Sequence, residues 1–170
     1  MNEARVRQLL KECDGKPLGA PAVEPRAPAF TRVPDAITHW VTHVLDRGEM
    51  GRNLVVVGPA RTGKTAWATS LRETSLYFNR TFVAKAWRDG APLVIYDDVK
   101  WYKMSASQWK HLMTRSCTPV RFFTKCGDRV RIVPSMPAIF LMDSDMYTRL
   151  RAPHKWERQC VVVHLDGPLF

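Results

Sequence analysis

An α/β domain is the fold class that this sequence predicts, and three stretches carry the prediction. Residues 54–57 (LVVV) form an apolar run too short for a helix and rich in β-branched side chains, so they read as a buried strand, which Gly58 ends. Residues 93–98 (LVIYDD) give a second apolar strand, closed by the paired carboxylates Asp97 and Asp98. Residues 137–143 (PAIFLMD) give a third, ending on a polar residue again, Asp143. Helix-forming stretches between these strands supply the α part.

The elements follow in order. Residues 1–12 suit a short helix, which Asp14-Gly15 stops, and Pro17, Pro21, Pro25, Pro28 and Pro34 then mark an extended linker. Ile37, Trp40, Val41, Val44 and Leu45 share one helical face over residues 35–47, with Pro34 and Asp35 suited to the first turn and Gly48 to the stop. His39 and His43 are i,i+4 neighbours that could hold a metal, but with no third ligand candidate close by they read as exposed-face histidines. After the first strand a helix starts near Thr65, with Trp67 and Leu71 packing it onto the sheet. Residues 76–78 and 81–83 read as short strands around Asn79-Arg80. Residues 105–115 read as a helix opened by a capping box of Ser105 and Gln108, with Trp109, Leu112 and Met113 as its buried stripe. Residues 121–133 (RFFTKCGDRVRIV) read as a β-hairpin turning at Gly127-Asp128, with Arg129 and Arg131 on one face of its second strand and Val130 and Ile132 on the other. Its four cations face a single acid, so it is either a phosphate contact or an edge protected by charge. Arg149, Arg151, Lys155 and Arg158 follow the third strand, and residues 161–163 (VVV) are a last one.

Composition sets the class. The 170 residues fit one ordinary domain with a tail, and 45% of them are hydrophobic. A formal net charge of +10 favours a polyanionic partner, with nucleic acid the first candidate. Cys13, Cys117, Cys126 and Cys160 are scattered with no Cys-x-x-Cys pair, which argues against a zinc site or a disulfide framework. No apolar run approaches the ~20 residues of a membrane span, and the N-terminus lacks the apolar stretch of a signal peptide. A soluble, intracellular protein with no membrane partner is expected.

The chemistry is concentrated in GPARTGKT. Gly58-x-x-x-x-Gly63-Lys64-Thr65 matches the P-loop pattern at every fixed position. In that pattern the residues Gly58, Pro59, Ala60, Arg61, Thr62, Gly63, Lys64 and Thr65 wrap a phosphate chain, because glycines let successive N–H groups point inward. Lys64 puts a cation on the β- and γ-phosphates of ATP, Thr65 completes a Mg²⁺ shell, and the helix start adds its positive end. Downstream, Asp97 suits the Walker B role of holding Mg²⁺, through water or directly, and Asp98 that of orienting or deprotonating the attacking water.

These residues, with KCGDRVRIVPSMPAIFL and the terminal VVVHLDGPLF, resemble the helicase region of geminivirus-type replication initiator (Rep) proteins. That family belongs to helicase superfamily 3 of the circular single-stranded DNA viruses. VPDAITHW at Val33 is similar to the start of that region, so the resemblance covers about residues 31–170, with residues 1–30 as N-terminal helix and linker. It implies an AAA+-like P-loop NTPase: a central parallel sheet flanked by helices, the ATP site at the strand tips, and a basic β-hairpin that contacts DNA. Such domains assemble into homo-oligomeric rings, often hexamers, and move along single-stranded DNA using ATP and Mg²⁺, in the host nucleus where the source is viral. The family's B′ lysine falls on Lys125, with Cys126 in place of the usual tyrosine, which makes Lys125, Arg129 and Arg131 the DNA-binding candidates. Asp143 falls on the sensor position, usually asparagine. An ionised aspartate can only accept hydrogen bonds, and a third carboxylate repels ATP, so hydrolysis is expected to be slow or the ring to be a nucleotide-binding scaffold. Arg149 and Arg151 lie where ring ATPases of this superfamily place a trans arginine, and the sequence does not choose between them. No His-x-His motif of the family's nicking domain is found, so the chain should not nick DNA and is either an excised helicase region or a relative lacking that domain. A nucleotide kinase with a similar P-loop and an RNA-directed helicase are the other readings.

Overall fold

Apolar runs become adjacent strands. The computed structural model describes residues 29–123, 129–151 and 155–170. Five strands, β1 (Asn53–Val57), β2 (Leu76–Asn79), β3 (Val94–Asp97), β6 (Ala138–Met142) and β7 (Cys160–His164), pair in parallel in the order β2-β3-β6-β1-β7. β4 (Val120–Phe123) and β5 (Arg129–Ile132) form a separate antiparallel pair with Phe123 opposite Arg129. Every residue of β1 and β6 is buried, as expected of central parallel strands covered on both faces.

Alternation along β1 divides the core in two. Val55 and Val57 face one cluster with Tyr96, Phe140, Trp101 and Trp156, under helix α3 (Ala106–Met113) and the β4–β5 pair. Leu54 and Val56 face the other, closed by Ile37 and Trp40 of α1 (Asp35–Trp40) and by Trp67 and Ala68 of α2 (Lys64–Ser70). Trp67 is buried and Leu71 packs partly buried beside it, as the four-residue spacing predicts. α3 carries the expected capping box and buries Trp109, Leu112 and Met113. α4 (Ser144–Arg151) follows β6.

Three readings change. The single helix expected over 35–47 is α1 followed by a π-helical segment, Val41–Asp46, before Gly48 turns left-handed at φ +68°. Residues 81–83 are not a strand. Arg80 takes φ +55°, and its N–H bonds the Asp97 carbonyl at 2.8 Å, which ends the edge strand β2. Phe82 then turns into an aromatic cluster, 4.9 Å from Phe78 and 5.0 Å from Phe122, and this burial outweighs the local β preference. His43 has a partner that spacing did not reveal, Glu49, with Nδ1 and Oε1 3.0 Å apart. The N-terminal helix, the linker up to residue 28 and the hairpin turn with Lys125 and Gly127-Asp128 lie outside the described residues. Among those described, no helix is long and apolar enough to cross a membrane.

Asn53 is the polar residue that locks this core. Its amide donates to the Leu112 and Met113 carbonyls at 3.3 and 2.9 Å, and its Oδ1 accepts the Ala138 N–H at 3.0 Å. Those carbonyls belong to the last turn of α3, which has no helical partners for them. Asn53→Ala is expected to destabilise the fold by about 2–3 kcal/mol, since buried groups lose their partners. Chemical denaturation measures this, and a loss under ~0.5 kcal/mol would remove Asn53 from that role.

Candidate functional site

The loop after β1 is bent by backbone conformation and braced from two sides. Gly58 donates its N–H to the Met142 carbonyl at 3.1 Å, and a Cβ on it would come within 2.9 Å of the Leu165 Cβ. Arg61 and Gly63 take φ +66° and +84°, so the chain doubles back before α2 begins at Lys64. Buried Thr62 donates its hydroxyl to the Pro59 carbonyl at 3.0 Å, and its own carbonyl accepts the Leu169 N–H at 3.0 Å. The φ of +84° favours glycine at position 63, and the Phe170 ring packs against this turn, 2.9 Å from where a Cβ would stand. Lys64 folds back over this loop, its Nζ donating to the Gly58 and Pro59 carbonyls, each at 2.7 Å. Desolvation pulls the Lys64 ammonium below its ordinary pKa, opposed by Asp98, Asp97 and Asp143 in that order.

Strand order explains why those three acids are near. β6 lies between β1 and β3, so the tips of adjacent strands present the loop, Asp143, and Asp97 with Asp98. Asp97 is buried, and its Oδ2 accepts the Thr65 hydroxyl at 2.9 Å. Asp98 takes φ +48°, anchored by its N–H to the Leu141 carbonyl at 3.0 Å. Its carboxyl is pushed above the ordinary range by desolvation, then by Asp97 and Asp143, with Lys64 and Arg80 opposing. Asp143 is exposed and caps α4, its Oδ1 accepting the Met146 N–H at 2.7 Å. Aspartate and asparagine serve equally well in that cap, so capping alone does not demand the charge.

The loop residues 58–65 and the acids Asp97, Asp98 and Asp143 thus lie together at the tips of β1, β3 and β6. Arg149 is exposed on α4 and lines a cavity of about 460 Å³ with Asp143, Trp101 and Tyr102. The side chain of Arg151 lies outside the described residues, as does Lys125. Arg129 and Arg131 are exposed on β5, with the Arg129 guanidinium 5.7 Å from the Phe123 ring centre, and no hydrogen bond or ion pair among the described residues ties them to the site. Sequence reasoning missed Tyr77, Asn79, Leu169 and Phe170. The Tyr77 hydroxyl donates to Asp97 Oδ2 at 2.6 Å and accepts from Asn79 Nδ2 at 2.9 Å. The alternation Leu76-Tyr77-Phe78-Asn79, with apolar residues inward, was the available signal for two polar groups on one outer face.

The donor set suits a hard cation. Among the described residues no group of three or more His, Cys, Asp or Glu side chains could hold a metal ion on its own. Mg²⁺ needs no such cage, since it keeps several waters and takes one or two protein oxygens alongside phosphates. Thr65 gives its proton to Asp97 and retains its lone pairs, and Asp97 Oδ1 accepts no bond among the described residues. Hydroxyl and carboxylate oxygens beside an ammonium therefore fit Mg²⁺ together with an anionic ligand.

No family model matches the chain. It is 30% identical over 131 residues to the Replication-associated protein of Cabbage leaf curl virus (isolate Jamaica), covering 71% of this chain and 37% of that protein. It is 32% identical over 98 residues to the Replication-associated protein of Chloris striate mosaic virus, covering 58% and 26%. With that of Bean yellow dwarf virus the identity is 30% over 159 residues, covering 87% and 46%. The chain thus spans less than half the length of each of these curated relatives. With the parallel sheet, the glycine-bent loop and the acid pair that the resemblance led one to expect, the chain is a domain related to the geminivirus replication-associated (Rep) proteins.

Proposed function

We propose that this domain is an AAA+-like P-loop NTPase that binds ATP with Mg²⁺ and drives movement along single-stranded DNA during replication. The observation that carries the reading is the convergence of Lys64, Thr65, Asp97 and Asp98 at the tips of β1 and β3, with Thr65 bonded to Asp97 at 2.9 Å and Lys64 acting on both acids. The N–H groups of the loop hold phosphate oxygens, and Lys64 exchanges the Gly58 and Pro59 carbonyls for the β- and γ-phosphates. Thr65 and Asp97 hold Mg²⁺, which, when bound, neutralises charge between those phosphates. Asp98 takes the proton of the attacking water, a task that a carboxylate of raised pKa performs better than an ordinary one. The printed names of the relatives support the replication role. Exposed Arg149, on the helix that Asp143 caps, suits a trans contact to a neighbour's phosphate in a ring, with Arg151 the alternative.

One observation favours a second reading, a nucleotide-binding scaffold with weak hydrolysis. Asp143 adds a third carboxylate that acts on both Lys64 and Asp98. ATP hydrolysis measured with and without single-stranded DNA separates the two. Stimulation by DNA supports the motor, and nucleotide binding without turnover supports the scaffold.

The hairpin arginines provide the DNA test. Each phosphate neutralised on a single strand contributes about −0.7 to the slope of log K against log salt. Replacing both Arg129 and Arg131 with alanine is expected to flatten that slope by roughly one to two units. An unchanged slope would move the DNA contact off the hairpin.

A further inference from the structure

We infer that Tyr77 is a positioning residue for Asp97, fixing which carboxylate oxygen is left for the metal. The inference rests on the proposed Mg·nucleotide site and adds a residue that neither the motif nor the resemblance includes. The parallel register sets Tyr77 opposite Ile95 and Asn79 opposite Asp97, so the phenol must reach forward by two residues, about 6.6 Å at the rise of a strand. A tyrosine covers that span and a serine or threonine does not. Tyr77 is 41% exposed and belongs to neither core cluster. Its hydroxyl is held by two bonds, donated to Asp97 Oδ2 at 2.6 Å and accepted from Asn79 at 2.9 Å.

Thr65 and Tyr77 donate to the same oxygen. A carboxylate oxygen offers about two lone-pair sites, so Oδ2 is saturated and its plane is pinned from two directions. Oδ1 is then the oxygen available to the metal or to a water bound to it. Without the phenol, Thr65 is the one side chain among the described residues that still bonds the carboxylate, and a single bond restrains rotation about Cβ–Cγ less than two do. Groups that orient a metal ligand in this way are typically worth about 10–100-fold in metal affinity or activity.

The test uses a fluorescent ATP analogue and titrates Mg²⁺ at fixed nucleotide. Tyr77→Phe keeps the ring and deletes the donor. It is expected to weaken the apparent Mg²⁺ affinity about tenfold, with nucleotide affinity in EDTA unchanged. Asn79→Ala should fall between this variant and the parent, because it removes only the support of the phenol. A Tyr77→Phe variant within about twofold of the parent in Mg²⁺, or one weakened equally with and without Mg²⁺, overturns the positioning role. Should the parent chain itself bind no analogue, the nucleotide reading fails and this role with it. If the parent binds and only the variant comparison fails, the nucleotide site stands and Tyr77 alone is excluded.

Discussion

Lys64→Ala is expected to abolish nucleotide hydrolysis and to leave the fold intact. The Nζ of Lys64 makes its bonds within the 58–65 loop, to the Gly58 and Pro59 carbonyls and, more distantly at 3.4 Å, to Thr62 Oγ1. Water can replace it at the Pro59 carbonyl, which lies at the exposed end of the loop. The stability cost should therefore stay within about 1–3 kcal/mol, the range for hydrogen bonds made by a charged group. Function has no such substitute. The three acids Asp97, Asp98 and Asp143 all act on this ammonium, and removing it leaves them facing the phosphates uncompensated. A donor aimed at developing charge is commonly worth ~10²–10³-fold, so turnover should drop at least that far and nucleotide affinity should fall with it. Calorimetric titration, a phosphate-release assay and a denaturation curve on one preparation check all three statements. Hydrolysis at the parent's rate would refute the site.

Much of this site was legible because its residues are fixed by local chemistry. Gly58, Gly63, Lys64 and Thr65 stand close in sequence, and the left-handed turn at Gly63 is the kind of backbone that a glycine announces. Apolar runs ending in Asp97, Asp98 and Asp143 likewise declared buried strands, since a parallel strand covered on both faces needs no alternation. What spacing could not supply was the order of strands. That β6 separates β1 from β3, and so brings Asp143 beside Asp98, depends on crossovers over the sheet. Contacts that span the chain were equally hidden: Asn53 tying the end of α3 to β6, Tyr77 reaching Asp97, and Leu169 and Phe170 bracing Thr62 and Gly63. The failed strand at 81–83 has a related origin, because two of the aromatic neighbours of Phe82, Tyr96 and Phe122, come from β3 and β4.

Asp98→Asn is expected to keep Mg·nucleotide binding and lose turnover by about 10²–10⁴-fold, the usual contribution of a general base. The substitution is well suited to the backbone. Asp98 holds φ +48°, a region that asparagine tolerates and that costs other side chains roughly 1–2 kcal/mol, so Asp98→Ala would mix strain with chemistry. The anchoring bond to the Leu141 carbonyl comes from the Asp98 main chain and survives either change. Losing one negative charge beside Asp97 and Asp143 should leave affinity equal or slightly higher, which distinguishes a lost base from a damaged pocket. Asp143→Asn is the informative companion. It preserves the cap on Met146, removes the same kind of charge, and gives the sensor position a donor that an ionised aspartate lacks. In the motor reading Asp143→Asn raises turnover, by up to ~10²-fold where the new donor meets the γ-phosphate, and Asp98→Asn suppresses it even in that background. If Asp98→Asn hydrolyses ATP as fast as the parent while both bind Mg·nucleotide, Asp98 is not the base. If the parent is already at background and Asp143→Asn does not lift it, the scaffold reading prevails.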